Sequence, residues 1–151
     1  MLDQMFHRIM RGLVETGRAP HYAELARALS LSVEDGRRLL LEVMQAYPIG
    51  WLHPETDYIA SFPPLNNLPT QYRISVRGEQ KWFAQCGFEA TSATWLFPGR
   101  TVRIEAPCLD CGRVPAARVW HQLRWSLCVR DRSEDLSCEL AGLRDLSIDG
   151  H

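Results

Sequence analysis

No apolar run in this chain approaches the roughly 18 residues that cross a bilayer, so no membrane-spanning helix is expected. Neither sign of charge is in excess. Seventeen Lys and Arg stand against 18 Asp and Glu, a formal net charge of -1. That removes the electrostatic footprint of a nucleic-acid binder or an anionic-membrane binder. The first residues lack the charged-then-apolar pattern of a secretory leader, because Asp3, His7 and Arg8 interrupt it. A cytoplasmic setting, where thiols stay reduced, is therefore expected. The cysteines do not make an even set: there are five, which argues against a closed disulfide framework and for thiols that bind, react or pack. Cys108 and Cys111 form a C-x-x-C pair with no second pair to match it. His7, His21, His53, His121 and His151 share no spacing, which speaks against a His-based metal site.

What is present fits an ordinary globular chain. At 151 residues, with 46% hydrophobic and 23% charged side chains, it can bury a core without a staple, as one domain or two small ones. Leu2, Met5, Phe6, Ile9, Met10 and Leu13 recur at helical spacing, and Gly17 ends that helix. His21–Leu29 predicts a short second helix. Ser32 is a good N-cap for a third, Val33–Ala46, with Asp35 at the third helical position. Trp51–Phe62 predicts a hairpin turning at 53–57. Three helices and a hairpin over residues 1–62 form a winged-helix-like pattern. Charge argues against a nucleic-acid partner for it. Residues 1–62 carry six basic and eight acidic side chains, and the third helix opens Val33-Glu34-Asp35, which would meet phosphate with like charge.

Pro63, Pro64, Asn66, Asn67 and Pro69 predict an irregular surface linker over 63–70. The second domain, 71–151, then opens with strands Gln71–Val76 and Gln80–Gln85 around an Arg77-Gly78-Glu79 turn. Gly87–Phe97 follows as a helix crossing a small mixed or antiparallel sheet, and Thr101–Glu105 is a further strand. The fold class expected is α+β. Its core should include Leu13, Leu25, Leu29, Leu40, Val43, Trp82, Phe88, Leu96 and Val102.

The chemistry centres on Lys81–Gly112. Cys86 sits where a strand ends and a helix starts, where the positive end of the helix dipole favours thiolate. Glu89, three residues on, shares its helix face. An ionised Glu89 opposes the thiolate; burial against Phe88 and Trp95 would keep it protonated and make it a proton donor. The bland alternative is a small core hydrophobe packed beside Trp82, Phe83 and Phe88. Cys108-Leu109-Asp110-Cys111-Gly112 is a zinc-type knuckle, but a structural zinc needs four ligands, so Cys128, Cys138 or His121 would have to complete it.

Leu68–Gly112 resembles the organomercurial (alkylmercury) lyases. The resemblance is carried by Pro69-Thr70 with Tyr72-Arg73, the Gly78 turn, and the aromatic-Ala-x-Cys strand end Phe83–Cys86. It extends to the carboxylate at Glu89, Phe97-Pro98, Gly99-Arg100-Thr101 and Cys108. It implies an enzyme of mercury resistance that protonolyses carbon–mercury bonds. Cys86 would be the first thiolate and Glu89, where the family usually has Asp, the proton carrier. Hg(II), which is soft and prefers thiolate sulfur, would be left as bound product. The second thiol of the family lies downstream; Cys128, in the strand-like Trp120–Val129, is the first choice here, and Cys138 the other. After about Val114 the chain departs from the family pattern. Cys108 would be structural, and Cys111 has no role assigned by the resemblance. No cofactor is required. The implied partners are a small organomercurial and, for product removal, cellular thiols or a mercury-accepting reductase. The alternative function is a non-catalytic thiol-based metal-binding or winged-helix regulatory module.

Overall fold

The computed structural model describes residues 1–107, 112 and 116–119. It is an α+β structure in which three N-terminal helices precede an antiparallel sheet. Helix α1 spans Leu2–Thr16 and buries Met5, Ile9 and Leu13, one stripe at three- and four-residue spacing. Gly17 ends it in a left-handed conformation, φ 74°. A Cβ there would lie 2.6 Å from the Lys81 carbonyl oxygen, so a side chain is excluded by space as well as by backbone. Helix α2 (Tyr22–Ala28) is capped by the His21 ring, which accepts from Ala23 N, while Glu24 reaches back to His21 N. Helix α3 (Val33–Ala46) is capped by Ser32, as its sequence predicts, and buries Leu39, Leu40 and Val43.

Among the described residues seven strands follow: β1 (Trp51–Leu52), β2 (Ile59–Phe62), β3 (Leu65–Asn66), β4 (Tyr72–Val76), β5 (Glu79–Ala84), β6 (Val102–Glu105) and β7 (Ala116–Val119). Their order is β1-β2-β3-β5-β4-β6-β7, antiparallel throughout. The predicted hairpins are both present. In the β4–β5 turn Arg77 and Gly78 both take positive φ, 54° and 86°, which suits the right-handed twist of the flanking strands.

The predicted linker is corrected. Within 63–70, Leu65 and Asn66 form β3, which bridges β2 to β5. The Pro63–Pro64 peptide, which is cis, occupies the turn before it. The prolines thus sit at the turn, and the two residues after them keep their N–H groups for pairing. Leu65 is almost wholly buried. Asn67 extends the connection: its Oδ1 accepts from Ala19 N and its Nδ2 donates to Ile59 O, both at 2.8 Å. A segment that reads as a spacer therefore ties the helices to the sheet, and one sheet runs through residues on both sides of it.

The predicted Gly87–Phe97 helix is also shorter than expected. Helix α4 covers Gly87–Ser92, and a 3-10 turn takes Ala93–Leu96. This stretch packs on β4 and β5. Its inner face is Ala90, Ala93 and Phe97, all buried. Phe88, expected in the core, is 80% exposed. It lies two residues before Ala90, about 200° round the helix, so burying the small Ala90 turns Phe88 outward. Leu13, Leu25, Leu40, Val43, Trp82 and Val102 are buried as expected, while Leu29 and Leu96 pack half-buried against that core. Trp82 joins the layers. Its ring meets Phe97 edge-on at 4.8 Å between centroids, and its Nε1 donates to Leu13 O and Val14 O at 2.9 and 3.2 Å.

Candidate active site

Strand β5 delivers the chain to Cys86, and α4 starts at the next residue. Cys86 is the N-cap, in extended conformation, and its Sγ accepts from Glu89 N at 3.5 Å. The sulfur thus satisfies one of the N–H groups that a helix start leaves without an intrahelical partner. It is exposed and free. The core-hydrophobe alternative is thereby removed: the thiol faces solvent, not the packing of Trp82.

Glu89 closes the same turn from the other side. Its Oε2 accepts from Gln85 N at 2.9 Å, a relative of the capping box displaced by one residue. Glu89 is half-buried. The expected burial against Phe88 and Trp95 does not occur, since both rings face solvent, Trp95 at 83% exposure. What shields the carboxyl is the β5–α4 junction itself. Sequence reasoning put the two side chains on one helix face; the structure places Cys86 at the cap and Glu89 in the first turn, joined through backbone.

The junction is gripped from beneath by Thr70 and Asn66, the second of which sequence reasoning read only as a breaker of regular structure. Thr70 Oγ1 donates to Ala84 O at 2.5 Å. Gln85 Nε2 donates to Asn66 Oδ1 at 2.6 Å, and Asn66 Nδ2 donates to Leu68 O at 2.8 Å. The available signal was weak: an Asn pair beside prolines marks a turn in most contexts.

Cys108, Cys111, Cys128 and Cys138, with the zinc knuckle and the second-thiol assignment that rest on them, lie outside the described residues, as does His121. Among the described residues no group of three or more His, Cys, Asp or Glu could hold a metal ion, and no helix is long and apolar enough to cross a membrane.

No family model matches this chain, and no curated protein sequence matches it. Among solved structures, the crystal structure of the mercury-bound form of MerB2 matches with a TM-score of 0.59 at 15% sequence identity. The match covers 80% of this chain and 57% of that one, so this chain spans little more than half that protein's length. The likeness is one of fold, and it marks a distant relationship at most to a protein solved with mercury bound.

Proposed function

We propose that this chain acts on organomercurials as a carbon–mercury lyase, with Cys86 capturing mercury and Glu89 carrying the proton. The observation that supports it most is the shared cap turn. It presents an exposed sulfur beside a carboxyl whose Oε2 is engaged by Gln85 N–H, while Oε1 has no protein partner among the described residues. The fold likeness to a mercury-bound protein agrees with it.

The chemistry follows from the donor set. The Cys86 thiolate bonds to the mercury of R–Hg⁺ and raises electron density on the attached carbon. Glu89 Oε1 takes up the proton that the Cys86 thiol gives up and passes it to that carbon. The C–Hg electron pair becomes the new C–H bond, hydrocarbon leaves, Glu89 remains as carboxylate and Hg(II) stays on sulfur. A second thiolate then completes linear coordination. Cys128 is proposed for it, with Cys138 as the other choice, and Cys108 and Cys111 are proposed as structural thiols. Cellular thiols or a mercury-accepting reductase would take the metal away, and no resident cofactor enters. The N-terminal helices and the β1–β2 hairpin are proposed as a winged-helix-like unit framing the thiol domain in a reducing cytoplasm. Exposed Phe88 and Trp95 offer apolar surface on the same helical stretch for the organic group.

The test is a single-turnover assay with excess reduced protein and an arylmercurial, following arene release, with Cys86→Ser alongside. Release that disappears in the variant is expected. A second reading is a thiol module that binds metal without cleaving, which an exposed thiol at a helix start would also serve. Mercury capture with no arene from the unmodified chain would establish it instead.

A further inference from the structure

We propose that Asn66 is a positioning residue for the Cys86–Glu89 pair, acting through Gln85; its catalytic consequence rests on the lyase function proposed above, its geometry does not. Asn66 is only 3% exposed, on the short strand β3 between β2 and β5. A buried amide is costly unless its donor and acceptor ends are both used. Here both are: Nδ2 holds Leu68 O at 2.8 Å and Oδ1 receives Gln85 Nε2 at 2.6 Å. The opposed partners determine which way the amide points.

The partner that Asn66 holds immediately precedes the thiol. With its side chain anchored in β3, Gln85 directs its backbone N–H at Glu89 Oε2, 2.9 Å away. One residue earlier, Ala84 O is held by Thr70 at 2.5 Å. Two consecutive residues are thus clamped from the 66–70 segment, and Cys86 is the next in line. An apolar side chain would fill the place of Asn66 without the desolvation cost, but it would leave Gln85, and with it the Glu89 carboxyl, free to turn away. Loss of orientation at a proton donor costs rate without costing thiol affinity.

Two measurements on the full chain test this. The first is the NMR shift of the residue 85 amide proton against pH, which follows ionisation of the carboxyl that accepts it. In the unmodified protein it should titrate with Glu89. In Gln85→Ala and Asn66→Ala, which keep the backbone N–H but lose the anchor, the amplitude should fall by more than about half. Gln85 is only half-buried, so Gln85→Ala carries the test if Asn66→Ala does not fold. Unchanged amplitude in Gln85→Ala overturns the positioning role whatever the chain catalyses. The second is single-turnover arene release. Gln85→Ala should lower it about 10- to 100-fold while alkylation of Cys86 keeps its rate. Release at the unmodified rate overturns the role in the reaction. An amide titration that depends on the anchor, in a chain that releases no arene at all, supports the positioning and refutes the lyase function.

Discussion

Replacing Glu89 by Gln separates proton transfer from everything else that side chain does. Gln has the same length, and its carbonyl oxygen can accept the Gln85 N–H now bound to Glu89 Oε2 at 2.9 Å. The hydrogen bond becomes neutral rather than charge-assisted, a loss of about 1 kcal/mol. Removing the one acidic group in the first turn of α4 costs a few tenths more, on the order of 0.3 kcal/mol in so short a helix. For a chain of 151 residues this lowers Tm by about 2–5 °C. The fold therefore survives at 25 °C. The chemistry should not, because an amide has no proton to give to carbon. A positioned general acid contributes about 10²- to 10⁴-fold, equivalent to about 3–5 kcal/mol of barrier. The assay is single-turnover arene release at 25 °C, with protection of Cys86 from alkylation scored in parallel to report mercury capture. Release should fall by that factor with capture intact. Release within about threefold of the unmodified protein would remove Glu89 as the proton carrier, since no orientation or stability effect could compensate a loss of that size.

Three further outcomes are expected. Phe88→Ala and Trp95→Ala, at highly exposed positions, should each change stability by less than about 0.5 kcal/mol. Together they should slow capture of an arylmercurial, relative to inorganic Hg(II), by about tenfold if both rings contact the organic group; equal capture rates would remove them from the site. Trp82→Phe loses the bonds to Leu13 O and Val14 O but leaves Leu13 O with its Gly17 N–H at 2.8 Å, so the cost is about 2 kcal/mol in denaturant unfolding. An unchanged midpoint would show that this Trp does not hold α1 to β5. At the start of α3, the Ser32 hydroxyl, and next the Arg38 guanidinium, hold the Asp35 carboxyl below its ordinary value of 3.8. A depressed native value means the stabilisation is present above pH 3.8 and is lost as pH falls through the lower native value. Ser32→Ala should move the Asp35 titration, followed by NMR, back upward; no movement would assign the depression to Arg38 alone.

Local periodicity determined much of this molecule by itself. The α1 stripe, the Ser32 cap, the Gly17 stop and the turn at Arg77-Gly78 are each written in residues within a few positions of one another, and each forms as expected. So was the placement of Cys86 and Glu89 three residues apart at a strand-to-helix junction, because the cap and the first turn of a helix are set by local spacing whatever surrounds them. Tertiary structure decided the rest. Whether Phe88 or Ala90 faces inward depended on which residue lets α4 approach β4 and β5, and the small one did. Whether 63–70 was spacer or strand depended on β2 and β5 presenting unpaired edges to Leu65 and Asn66, about which the prolines carry no information. The support of the candidate site shares that origin. Asn66 and Gln85 are 19 residues apart, and a hydrogen bond across such a separation has no local signature; it exists because β3 lies beside β5.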